Sequence, residues 1–125
     1  MDEFLCKNEA FVIQGAIFEV YKTLGCGFLE AVYQKALEVE LTQRNIPFVS
    51  QAEIEINYKG VKLGQSYRAD LVCFGKIILE LKAVQNLLPE HGAQLQNYLR
   101  ATKMRVGLLV NFGHYPRVEI KRIVI

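Results

Sequence analysis

Asp70, Glu80 and Lys82 place two acids and an amine within one short stretch of the chain. The run Leu71-Val72-Cys73-Phe74, then Gly75-Lys76, then Ile77-Ile78-Leu79 reads as two β-strands joined by a glycine-containing turn. Such a hairpin carries Glu80 and Lys82 back beside Asp70. Side chains alternate across a strand, so Glu80 and Lys82 share one face while Leu79 and Leu81 fill the other. Register decides whether Asp70 joins them. A loop of Phe74-Gly75-Lys76 sets Asp70 opposite Glu80, and a loop of Gly75-Lys76 alone sets it opposite Leu81. Clustered chemistry therefore predicts an odd loop or a β-bulge.

Two carboxylates on one face suit a hard divalent cation such as Mg²⁺, which takes oxygen ligands and keeps positions open for water and a substrate phosphate. An ammonium beside them can orient or help deprotonate an attacking water and offset charge on a pentavalent phosphate. Glu119-Ile120-Lys121 repeats the same tripeptide as an ordinary amphipathic strand end, so the tripeptide is not diagnostic by itself.

The elements that must position these groups follow from periodicity. Apolar residues from Phe4 and Leu5 to Leu24 keep helical spacing, which predicts a long helix over 3–24 with Gly25 as its C-cap. A second helix is expected from Leu29 to about Arg44, ended by Asn45-Ile46-Pro47, with Glu30 and Tyr33 on one face. From Phe48 the period becomes two, Lys59-Gly60 turns the chain, and strands follow over 61–73 and 77–84. Pro89 opens a helix to about Thr102. A doubly buried strand is expected over 106–112, then a loop at Gly113-His114-Tyr115-Pro116 and a last strand over 118–125. The order helix, helix, three antiparallel strands, helix, strand, strand gives an α/β (mixed α+β) fold with a central mixed sheet flanked by helices.

The 125 residues are enough for one hydrophobic core, and 51% of them are hydrophobic, so a single domain is expected over the whole chain. No run reaches the roughly 18 apolar residues of a membrane span, and the opening Met-Asp-Glu lacks the basic start of a signal peptide. A cytoplasmic protein is expected. Cys6, Cys26 and Cys73 have no paired ligand spacing, which argues against zinc or a disulfide framework and for buried thiols. The net charge is only +2, yet its distribution is uneven: residues 51–125 carry eleven Lys/Arg and six Asp/Glu, and residues 1–50 carry four and seven. The basic excess lies with Asp70, Glu80 and Lys82, as an approaching anionic polymer would require.

Gly27-Phe28-Leu29-Glu30-Ala31-Val32-Tyr33, Tyr67-Arg68-Ala69-Asp70, Leu79-Glu80-Leu81-Lys82, Gln94-Leu95-Gln96-Asn97-Tyr98-Leu99, Gly107 to Gly113 and Lys121-Arg122-Ile123 occur in an order that resembles the GxxExxY family of the PD-(D/E)XK nuclease superfamily. Ala69 stands where the superfamily name has proline. The resemblance covers nearly the whole chain and implies a restriction-endonuclease-like αβββαβ core. It implies Asp70 and Glu80 as ligands of Mg²⁺ or Mn²⁺, Lys82 as the catalytic lysine, and Glu30 as an additional helix carboxylate. Gln94 would orient the lysine or meet substrate, with Tyr33, Arg68 and Tyr98 as substrate contacts. The implied partner is nucleic acid, DNA first. A nuclease fold that binds nucleic acid or protein without turnover is the alternative. A homodimer paired along the last strand is a further expectation, countered by Lys121 and Arg122 on that edge. His91 and His114 have no carboxylate partner visible in sequence and read as a first-turn residue and a loop residue.

Overall fold

The structure, a computed structural model, describes residues 5–125. Its elements are α1 (Lys7–Leu24), α2 (Glu30–Gln43), β1 (Phe48–Tyr58), β2 (Val61–Cys73), β3 (Ile77–Lys82), α3 (Pro89–Thr102), β4 (Val106–Asn111) and β5 (Glu119–Val124). The strands form one sheet in chain order, antiparallel except for the parallel β3–β4 pair that α3 crosses over. This is the expected mixed sheet.

Element ends differ by a few residues for local reasons. Helix α1 starts at Lys7, after Cys6 in a left-handed conformation, and it closes on Gly25, whose N–H donates to the Tyr21 carbonyl at 2.7 Å. The expected start at Glu3 and Phe4 lies outside the described residues. Strand β3 ends at Lys82, two residues early. There the Val84 N–H donates to the Asn111 side-chain oxygen at 3.0 Å instead of to a neighbouring strand.

Both faces of the sheet are covered. Ile13 and Ile17 of α1 and Leu37 and Leu41 of α2 pack on Leu71, Ile77, Leu79 and Leu81, while Leu95 and Leu99 of α3 pack on Val72, Ile78 and Leu109 of the opposite face. Strand β4 is buried along its whole length, as a strand covered on two faces must be. Helix α3 comes close to the sheet at Gly107, where an added Cβ would lie 3.0 Å from the Leu95 side chain. Strand β5 is the expected edge; Lys121 is exposed on it, and the Arg122 guanidinium donates to the Leu5 carbonyl. Of the cysteines only Cys73 is fully buried, and burial pushes its thiol up to about 12. Among the described residues, no helix is long and apolar enough to cross a membrane.

Candidate active site

Register brings the acids together. Leu71 pairs with Leu79 and Cys73 with Ile77, which leaves the odd loop Phe74-Gly75-Lys76 and brings Asp70 level with Glu80 and Leu81. The loop is feasible because Phe74 and Gly75 both take positive φ, 56° and 68°. The β2–β3 ladder stops at Leu71, however, and the Asp70 carboxylate takes over as partner, accepting the Leu81 N–H at 2.7 Å. Alternation slips at the same point. Leu71 faces the α1–α2 core, whereas Ala69, two residues away, faces α3. Opposite Asp70 on β1, Gln51 has a φ of 52°, so the irregularity spans both strands.

The resulting environment is hostile to negative charge. Burial, then the neighbouring Asp70 carboxylate, push Glu80 up to about 8, although the Tyr67 hydroxyl, Lys82 and the Asp70 backbone oppose the shift. Glu30 is raised as well, first by desolvation and then by Asp70, with Lys82, His91 and the Ala83 backbone acting the other way. These couplings put Glu30, at the start of α2, beside the end of β3.

The loop before α2 is built to present Glu30. Tyr33 is wholly buried, stacked on Phe112 with centroids 4.6 Å apart, and its hydroxyl donates to the Gly25 carbonyl at 2.5 Å and accepts the Phe28 N–H at 3.2 Å. Its ring and hydroxyl are therefore spent on the loop that precedes Glu30, which corrects the expectation of a substrate contact. One turn after Glu30, the buried Gln34 amide donates to the Asp70 carbonyl and to Glu38 Oε2, each at 2.9 Å, and Ser50 donates to the same Glu38 oxygen at 2.7 Å. A cleft of about 430 Å³ lies over this network, lined by Glu30, Gln34, Glu38, Ser50 and Asp70 among others. Hydrogen bonds hold Glu38 below its ordinary range despite burial.

Helix α3 closes the other side. Tyr98 stacks on Tyr67 at 3.5 Å, and the Tyr67 hydroxyl donates to Glu80 Oε1 at 3.1 Å. Burial, then the Glu80 charge, raise both tyrosines. His91 accepts the Leu88 N–H at 3.0 Å as part of the helix cap, yet stands near enough to Glu30 to lower its proton affinity. Gln94 is exposed one turn before Tyr98, on the same side of α3. Arg68 is exposed on the face of β2 opposite Tyr67, away from the Glu80 side. The sequence offered Tyr67 only inside the Tyr67-Arg68-Ala69-Asp70 run, without a role, and did not offer Gln34 or the proximity of His91 to Glu30. A signal existed only for Gln34, four residues after Glu30 and so on its face of α2.

The donors are hard oxygens, and their mutual repulsion is what a divalent cation relieves, so the residues fit Mg²⁺ or Mn²⁺. Among the described residues, no three His, Cys, Asp or Glu side chains form a ready-made metal cluster; Asp70 and Glu80 are a pair with Glu30 beside them.

A family model described as the PD-(D/E)XK nuclease superfamily matches residues 7–123. The chain belongs to the PD-(D/E)XK nuclease superfamily. It is also similar to the crystal structure of SSO0001, at 27% identity and a TM-score of 0.60, over 76% of this chain and 50% of that one. The chain thus spans half the length of that protein. No curated protein matches it.

In this nuclease-superfamily chain, the segment after the lysine is fixed from behind. Asn111, fully buried opposite Lys82, accepts the Val84 and Gly113 N–H groups, each at 3.0 Å, and donates to Glu119 at 2.8 Å. Gly113 allows the close approach: a Cβ there would sit 2.5 Å from Val84 backbone atoms.

Proposed function

We propose that the chain is a Mg²⁺- or Mn²⁺-dependent nuclease that hydrolyses phosphodiester bonds of nucleic acid, DNA foremost, and that it is of the GxxExxY type. The observation that carries this reading is the convergence of Asp70 and Glu80 from adjacent strands, with Lys82 and Glu30 electrostatically coupled to them. The GxxExxY assignment is supported by Gly27 at a φ of 113°, Glu30 opening α2, and Tyr33 locking the loop between them.

Asp70 and Glu80 would hold the cation, with Glu30 alongside, and the bound ion would supply Lewis acidity toward the phosphate and acidify a water. Lys82 contributes an ammonium that orients the attacking water and offsets charge gathering on the phosphate oxygens. Tyr67 fixes the Glu80 carboxylate, and Tyr98 holds Tyr67 by stacking. Gln34 fixes the Asp70 main chain from the other side.

Purified protein incubated with Mg²⁺ or Mn²⁺ and plasmid, single-stranded DNA or RNA tests the reading. Cleavage is expected with the wild-type chain and not with Glu80→Ala. Intact substrates throughout, or equal cleavage by Glu80→Ala, would overturn it.

A further inference from the structure

The β1–β2 hairpin outruns the sheet. Strand β2 pairs with β3 only over Leu71 to Cys73, while β1 and β2 stay paired out to Tyr58 and Val61, so the far part of the hairpin is a two-stranded arm. Ala52, Ile54 and Tyr67 seat the base of the arm against the α3 core, and beyond them Tyr58, Val61 and Leu63 are exposed. Between the arm and the C-terminal end of α3 lies a cleft of about 900 Å³.

Its charged lining is Lys59, Lys62, Arg100 and Lys103 against Glu53 and Glu55. Glu55 is ion-paired with Lys62 at 3.6 Å, and Glu53, which accepts the Ser66 hydroxyl at 3.2 Å, keeps its charge as one acid against three cations. Lys59, Arg100 and Lys103 then give the cleft its positive sign. Lys59 also sits 5.4 Å from the centre of the exposed Tyr58 ring, a cation and an aromatic surface together at the arm's tip.

Helix α3 reaches both the cleft and the candidate active site. Tyr98 stacks on the tyrosine that holds Glu80, Arg100 follows, and Lys103 caps the helix. At about 1.5 Å of rise per residue, Lys103 lies about 8 Å beyond Tyr98 along the axis, or roughly two steps of a nucleic-acid strand at about 3.4 Å each.

We propose that this cleft holds the phosphodiester backbone on one side of the bond to be cut, with Lys59, Arg100 and Lys103 meeting phosphates. The assignment rests on the nuclease reading for its relation to Asp70 and Glu80. The occupant is argued from charge and from the shared helix: α3 carries Tyr98 to the tyrosine that holds Glu80 and Arg100 and Lys103 to the cleft, so a polyanion cut at the acids has cations within reach along that helix.

The test measures binding of short duplex and single-stranded DNA to the full chain carrying Lys82→Ala, with Mg²⁺ present, across a salt titration. Lys59→Ala, Arg100→Ala and Lys103→Ala are each added, and Lys22→Ala on α1 serves as a control of equal charge change. Each cleft variant should lower the slope of log affinity against log salt by roughly 0.9 on duplex or 0.7 on single strands, with Lys22→Ala leaving it unchanged. Unchanged slopes in all three cleft variants, an equal fall in the control, or no binding by the parent would overturn the cleft. The nuclease reading fails separately: reduced slopes in a chain whose wild type cleaves nothing would keep the cleft and remove the enzyme.

Discussion

At the residue scale, Lys82 separates an enzyme from a preserved shell. If its ammonium acts on the water or the phosphate, Lys82→Ala keeps its fold and metal binding while cleavage slows by about a hundredfold or more, and Lys82→Arg recovers only part of the loss. Cleavage rates and melting temperatures across a Mg²⁺ titration check this; normal turnover by Lys82→Ala at saturating metal removes the assignment. Glu80 makes a second prediction, without metal. Its carboxyl titrates near 8 in the fold and near 4.5 in the free side chain, so the folded state holds a proton that the unfolded chain releases. Stability from that proton is complete below about pH 4.5 and is lost as pH rises toward 8, by a few kcal/mol at most. Denaturant melts in chelator over this window should weaken with pH for wild type and stay flatter for Glu80→Gln. The odd loop between β2 and β3 was legible because one requirement, a shared face for the acids, fixed its length. Tyr67 and Gln34 were not, because their partners lie thirteen and thirty-six residues away and only the folded sheet brings them together.

Helix α2 is the element that ties the site to the fold. It supplies Glu30 at its first residue and Gln34 one turn later, and Gln34 meets the Asp70 carbonyl where β2 leaves its neighbour. Gln34→Met keeps length and volume but loses the donor. The expected result is about 1–3 kcal/mol of lost stability from unpaired acceptors and roughly tenfold weaker Mn²⁺ binding, the scale seen when a group behind a metal ligand is removed. Ser50→Ala removes a donor to Glu38 and a 3.3 Å acceptor of Gln34 but leaves the Gln34 bond to the Asp70 carbonyl, so it should lower stability and spare metal affinity; equal metal affinities in both variants would reduce Gln34 to packing. Behind β3, Gly113→Ala would drive a Cβ to within 2.5 Å of Val84 backbone atoms, and backbone cannot step aside as a side chain can. A loss of about 1–3 kcal/mol is expected, read as a fall of several degrees in melting temperature. Elements themselves were readable from period and from Gly and Pro. The early end of β3 was not, since a buried Asn111 takes the hydrogen bond that Val84 would otherwise give to a strand.

Over the whole molecule, the acids do not sit on a separable lid. Asp70 and Glu80 belong to β2 and β3, whose neighbours Leu71, Leu79 and Leu81 are fully buried between the helix layers. A cation that joins them therefore clamps the strands whose separation is global unfolding, and its binding should appear in the stability of the entire chain. At a hundred times its dissociation constant, a ligand specific to the native state adds about 2.7 kcal/mol, which for a domain of this size is several degrees of melting temperature. Mn²⁺ should raise the wild-type midpoint by that amount, and chelator should reverse it. Asp70→Asn with Glu80→Gln should lose the response while melting, in chelator above pH 8 where both acids are charged, no lower than wild type, because the repulsion has gone with the charges. Hydrogen exchange adds the spatial check: metal should slow exchange through β3 and the start of α2, and leave the exposed arm around Lys59 and Gly60 unchanged. A metal response of equal size in the doubly substituted chain would place the cation elsewhere.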